Sequence, residues 1–243
     1  MGALYLKEIR SFLSSIIGYV FMLIFVITCW LFLWVINDDY NLLNGGVADL
    51  LPYYNLAPLI LLILIPAITM RSFADERKTG TIELLYTRPI SDFSILLAKY
   101  LAGVTLVVIA LLPTLTFYVS MHFLGDPVGV MDDGAAITSF LGLILLGASF
   151  VAIGIFASTI TSNQIVAFIV AMFLCWFAFS GLSLLGSYAT IAGFDSVIRY
   201  ASLDYHYESI KKGVLILSDL VYFFSVIVFF LFASHNVLTA IRK

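Results

Sequence analysis

The chain has 243 residues, of which 62% are hydrophobic and 11% charged. Soluble domains carry about 25% charged residues, so a water-soluble globule is excluded. The apolar runs are continuous and each is long enough to cross a hydrocarbon core of roughly 30 Å as a helix, which excludes the alternating short strands of a membrane barrel.

The net charge of −3 identifies no partner by its sum, and no nucleic-acid partner is expected. Cys29 and Cys175 lie inside apolar runs, so they read as packing residues and not as a disulfide framework. The expected fold class is an all-α polytopic membrane protein, one domain over residues 1–243. It would have six transmembrane helices, an N-terminal interfacial amphipathic helix, a cytosolic helix between spans 2 and 3, and an outer re-entrant or interfacial segment between spans 5 and 6.

Residues 3–16 predict an amphipathic helix. At about 100° per residue, Tyr5, Ile9, Phe12, Leu13 and Ile16 share one face, while Lys7, Glu8, Arg10, Ser11, Ser14 and Ser15 share the other. Such a helix lies in the headgroup plane, either as a relay into the first span or as a plain start-anchor. The first span, about 16–36, is longer than a signal-peptide core and lacks a small-x-small cleavage site, so it is expected to stay as an anchor. Trp30 and Trp34 sit toward its far end, as in an aromatic belt. A polar loop follows to Asp49. The second span covers about 51–70 and contains Pro58 and Pro66, which should kink it as a hinge or as a packing device.

Residues 71–92 form the only dense charge cluster. Arg71 to Thr79 can continue helically, and Gly80 can end that helix in a left-handed turn. Thr81 can cap a second short helix with Glu83 in its first turn and Pro89 as its stop. The third span, about 93–121, starts with Ser91 as N-cap and a staple of Ile90 with Ile95. Lys99, two turns in, is expected to snorkel to the headgroups, and Pro113 to bend the span. After a Gly- and Asp-rich loop at 122–135, the fourth span, about 136–158, carries Gly142, Gly147, Ala148, Ala152, Gly154 and Ser158. Small residues allow close backbone approach, so this span reads as a tightly packed internal helix. The fifth span is about 165–185, reached through an uncharged turn. Residues 186–217 are too polar to span and too apolar for a simple loop; short helices at the outer interface are expected, one ending at Gly213. The last span is about 217–238.

With the N-terminus inside, six spans place Lys7, Arg10, Arg71, Arg77, Lys78, Arg88, Lys99, Arg242 and Lys243 on the inner side. Only Arg199, Lys211 and Lys212 fall outside. This asymmetry predicts cytoplasmic termini and a cytoplasmic 71–92 segment.

Chemistry of its own is scarce. No Lys follows a Gly, so there is no phosphate-cradling P-loop. No H-E-x-x-H motif occurs; His206 with Glu208 could touch a ligand or metal in the outer loop, but an interfacial histidine without a role is the plainer reading. The spans hold almost no ionisable residues, against the pattern of ion-coupled transporters and charged-ring channels. Catalysis, metals and cofactors are therefore not expected in this chain.

The stretch Phe73-Ala-Asp-Glu-Arg-Lys-Thr-Gly-Thr-Ile-Glu-Leu-Leu-Tyr-Thr-Arg-Pro-Ile-Ser91, followed by Lys99, resembles the signature of ABC-2-type transporter permeases. In that family the stretch after the second span reads roughly F-x-x-E-[KR]-x-x-G-T-x-E-x-L-L-x-x-P-[IV]-S. Glu76, Arg77, Gly80, Thr81, Glu83, Leu84, Leu85 and Pro89 match it. The resemblance implies that these residues, with Arg71, dock on a separate cytosolic ABC ATPase subunit that binds the ATP. It also implies that Tyr5, Lys7, Ile9, Arg10 and Phe12 belong to an interfacial helix set in membrane lipids. A second transmembrane subunit, the same chain or a different one, would complete the permease in a bacterial inner membrane. Within the family, Ile65–Ala74, Ala110–Thr114, Gly125–Gly129 and Ser162–Phe168 resemble the GldF-type permeases of gliding motility in Bacteroidetes, which implies a GldG-like membrane partner. The implied activity is ATP-driven export; the alternative is a mechanical or assembly role in the cell envelope with no solute moved.

Overall fold

The computed structural model describes residues 1–36, 39–44, 46, 48–81, 83, 91–188 and 194–242. Among these residues all regular structure is helical, and six helical stretches are long and apolar enough to cross a membrane: Gly18–Val35, Leu51–Lys78, Asp92–Leu124, Asp133–Ile160, Gln164–Ser187 and Leu217–Arg242.

Helix α1 runs over Gly2–Leu13 and α2 over Ile16–Trp30, prolonged by a π turn at Leu31–Val35. The amphipathic run was expected to reach residue 16, but it breaks at Ser14–Ser15. The Ser15 hydroxyl donates to the Phe12 carbonyl at 2.9 Å and accepts from the Gly18 amide at 3.3 Å, so it closes one helix and caps the next. Ile16 therefore leaves the apolar face and is exposed.

Helix α3 spans Leu51–Thr69, passes through Pro58 and Pro66, and meets α4, Arg71–Lys78, across Met70. Helix α5, Asp92–Leu111, is capped by the Ser91 hydroxyl, which accepts from the Ser94 amide. Its continuation α6, Leu115–Leu124, follows a 3-10 turn at Leu112–Thr114 that holds Pro113. Ile90 lies outside the described residues. Helix α7, Asp133–Ile160, begins where the Asp132 carboxylate accepts from the Ala135 amide. Helix α8, Gln164–Trp176, passes through a π turn at Phe177–Gly181 into α9, Leu182–Tyr188. Two short helices follow, α10 at Phe194–Tyr200 and α11 at Leu203–Ile210, before α12 at Leu217–Arg242.

Helix α7 is the axis of the bundle, with α3, α5, α8, α11 and α12 packed around it. Its small residues explain this. In a membrane, helices associate by close van der Waals fit, because lipid tails remove the hydrophobic drive. A Cβ at Gly142 would lie 2.3 Å from Ile210, and one at Gly154 would lie 2.1 Å from the Thr69 hydroxyl. Neither neighbour can approach unless the position is glycine.

Buried polar groups along the axis find partners across helices. The Tyr53 hydroxyl meets that of Thr114 at 2.7 Å, Tyr54 donates to the Ala136 carbonyl at 2.9 Å, and Tyr207 of α11 donates to the Tyr54 carbonyl at 3.0 Å. Such bonds contribute on average about 0.6 kcal/mol each in a membrane. They also fix where α11 sits. It is tucked against α3 and α7, with Leu203, His206, Tyr207 and Ile210 buried.

Candidate functional site

One end of the bundle gathers α1, α4, the start of α5, the α7–α8 turn and the end of α12. Lys99, two turns into α5, lies at its centre. Its Nζ donates to Glu76 Oε1 of α4 at 2.7 Å and to Glu8 Oε1 of α1 at 3.3 Å, and lies 5.2 Å from the centre of the Phe73 ring. The lysine side chain is 2% exposed. This corrects the expectation that Lys99 snorkels: α1 and α4 roof it over, and two carboxylates within reach replace the headgroup water. It also corrects the helical wheel, because Glu8 turns toward α5 with Tyr5 and Phe12 instead of facing out with Lys7 and Arg10.

Helix α4 is held from its other side by the last turn of α7 and the first residue of α8. The Ser158 hydroxyl accepts from the amides of Phe73 and Ala74, both at 3.0 Å, and donates to the Met70 carbonyl at 3.0 Å. It thus inserts at the junction between α3 and α4, a recognised cause of helix bending. Arg77 Nη1 donates to the Thr159 carbonyl at 2.6 Å, and Gln164 Nε2 donates to Asp75 Oδ1 at 2.6 Å. Glu76 and Arg77, expected to face an ATPase, are therefore both engaged within the bundle.

Beyond α4 the chain does reach solvent. Lys78, Thr79, Gly80, Thr81 and Glu83 are exposed, and Gly80 takes a φ of +72°, the left-handed conformation that favours glycine. The Thr81 hydroxyl lies 3.0 Å from that of Thr79. Leu84, Leu85 and Pro89 lie outside the described residues. Arg71 is exposed at the start of α4.

On α1, Tyr5 shares a hydrogen bond with Thr105 of α5 at 2.9 Å, Ile9 and Phe12 are half-buried, and Lys7 and Arg10 are exposed. Arg242 of α12 pairs with Asp92 at 2.8 Å and completes this end.

The opposite end holds a second buried polar cluster. His206, fully buried, has Nδ1 2.8 Å from Asp219 Oδ1 and Nε2 2.8 Å from the Tyr200 carbonyl, with Tyr222 stacked on its ring. A carbonyl only accepts, so Nε2 carries a proton and the His–Asp pair shares another. Ser209 donates to the second Asp219 oxygen at 2.5 Å. The plain reading of His206 as an interfacial residue without a role is thus replaced: it pins α11 to α12. Glu208, proposed as its companion, instead pairs with Lys211 and Lys212. Burial pushes Glu208 up, but hydrogen bonds and charge from the two lysines outweigh it, and its pKa is lowered. Asp204, half-buried beside it, is raised by its partial burial. Among the described residues no group of His, Cys, Asp or Glu is arranged to hold a metal ion.

A family model described as ABC-2 family transporter protein matches residues 3–241. The chain belongs to the ABC-2 transporter family. No curated protein matches it. Membership makes it a multi-pass membrane transport subunit that is not itself the catalytic enzyme, and implies a partner ATPase and a dimeric arrangement in the membrane. Sequence reasoning missed Glu8, Ser158, Thr159 and Gln164 as the partners that seat α4 in this ABC-2 subunit. The run of uncharged polar side chains at 158–164 was the available signal.

Proposed function

We propose that this chain is the membrane-spanning half of an ATP-driven exporter, worked through α4 by a separate cytosolic ATPase. The observation that carries the reading is the buried lysine shared by three helices: any displacement of α4 pulls on Glu76, and through Lys99 on both α1 and α5. The exposed residues Lys78, Thr79, Gly80, Thr81 and Glu83 meet the ATPase, while Glu76 and Arg77 transmit. The Lys and Arg distribution supports a cytoplasmic position for this end and for both termini. Two such subunits, or one with a GldG-like partner, enclose the path. The narrower likeness to GldF-type permeases adds a role in gliding motility, and loss of surface spreading on gene disruption in a gliding host tests that part.

Co-purification with the ATPase and ATP turnover, measured together, test the main reading. Reversing charge on the exposed arm, Lys78→Glu with Glu83→Lys, should weaken co-purification. Glu76→Gln should leave co-purification intact and lower the ATP turnover that the membrane subunit stimulates. If both readouts stay at the parent level in both variants, α4 is not the coupling element.

A further inference from the structure

A cleft of about 230 Å³ opens between α1 and α4, next to the lysine cluster. Its charged lining is Lys7, Arg71 and Lys99 against Glu8, Asp75 and Glu76, so it is neutral in sum but divided in space. Lys7 and Arg71 are exposed at the rim; Glu8 and Glu76 lie deeper, at 12% and 16% side-chain exposure. Two carboxylates share the one buried ammonium of Lys99, and the balancing second cation is Lys7 at the rim, whose Nζ lies 3.7 Å from Glu8 Oε1. Glu76 Oε2 is buried with no hydrogen-bond partner. Ser11, Ser15 and Ser72 add hydroxyls to the walls, and Phe12 and Ile68 add apolar surface.

We propose that this cleft binds a phosphate joined to a primary ammonium, presented by a phosphatidylethanolamine headgroup. The phosphate lies at the rim with Lys7 and Arg71, where charge-assisted bonds to its oxygens form. As Lys7 turns from Glu8 to the phosphate, the ammonium enters toward Glu8 and Glu76 and takes the place of that second cation. A lipid is favoured over a free ion by what borders the cleft. Phe12 and Ile68 offer an apolar bed below the headgroup, and α2 starts beside Ser15 with Ile16, Tyr19 and Val20 exposed, a track for acyl chains. The proposal rests on the membrane placement of α1 in the reading above, and not on the ATPase.

The test uses the full chain purified without any ATPase, in micelles supplied with dioleoyl phosphatidylethanolamine, phosphatidylcholine or phosphatidylglycerol. Retained lipid per chain is counted by native mass spectrometry. Phosphatidylcholine keeps the cation but has no N–H donors, and phosphatidylglycerol has the phosphate without the cation. Phosphatidylethanolamine should be retained about tenfold better than either, the scale of one lost charged hydrogen bond.

Glu8→Gln should abolish that preference, whereas Lys7→Ala with Arg71→Ala should lower retention of all three lipids and Lys7→Arg with Arg71→Lys should keep it, which separates loss of the site from loss of the fold. Equal retention of the three lipids by the parent overturns the proposal, as does a preference that survives Glu8→Gln. Free phosphoethanolamine competing only weakly supports the lipid source; free phosphoethanolamine binding as tightly as the lipid overturns it. An ATPase that fails to co-purify would sink the transport reading and leave this result standing.

Discussion

Replacing Lys99 by methionine keeps an unbranched side chain one atom shorter and removes its charge. Glu8 and Glu76 then face each other with no cation between, their inner oxygens within about 6 Å by the two lysine distances. At an effective dielectric of about 20 that repulsion alone is roughly 3 kcal/mol. Breaking a buried ion pair from one side generally costs about 3–5 kcal/mol, so Lys99→Met should destabilise the protein by that amount. Neutralising the acids as well, with Glu8→Gln and Glu76→Gln, removes the stranded charge. The triple variant should return to within about 1–2 kcal/mol of the parent, since a buried ion network replaced as a whole is often nearly neutral. The assay is SDS-titrated unfolding in mixed micelles, followed by helicity. A Lys99→Met protein within about 0.5 kcal/mol of the parent, the range of inconsequential surface changes, would refute the reasoning. So would a triple variant less stable than the single one.

Ser158→Ala removes the acceptor shared by the Phe73 and Ala74 amides, a loss of about 1–3 kcal/mol per unsatisfied group, and hydrogen exchange at those amides should accelerate while α7 itself stays protected. Unchanged exchange would mean that Ser158 does not seat α4. Gly154→Ala puts a methyl 2.1 Å from the Thr69 hydroxyl and should destabilise by about 1–3 kcal/mol, with Thr69→Ala recovering part of the loss in the same unfolding titration. No recovery would place the clash elsewhere. At the other end, Asp219→Ala strands His206 and the Ser209 hydroxyl and should cost about 3 kcal/mol, whereas Asp219→Asn keeps an acceptor and should cost less. An alanine variant no worse than the asparagine one would contradict the geometry.

Much of the architecture was legible because apolar runs of membrane length leave few alternatives, and because a cap such as Ser91 acts through neighbours a few residues away. The axial position of α7 followed from its glycines. What was hidden depends on distant partners. A helical wheel places Glu8 with the solvent face because a charge reads as outward; its inward turn requires Lys99, which is 91 residues further on. Lys99 read as a snorkelling residue because nothing nearby in sequence announces two carboxylates above it. The break at Ser14–Ser15 was overlooked because amphipathic periodicity outvoted two hydroxyls that compete for backbone groups. His206 likewise needed Asp219, on a different helix, before it had a role.

Gly154 and Ser158 stand one turn apart on the same face of α7. The first receives Thr69 from the end of α3, and the second binds Met70, Phe73 and Ala74 across the start of α4. The joint between these two helices therefore rests on a fixed bearing supplied by a third. On the coupling role proposed above, the displacement that such a fulcrum passes to Glu76 depends on where the pivot lies along α7. Moving the serine by one turn would change the leverage without changing any residue that a partner touches.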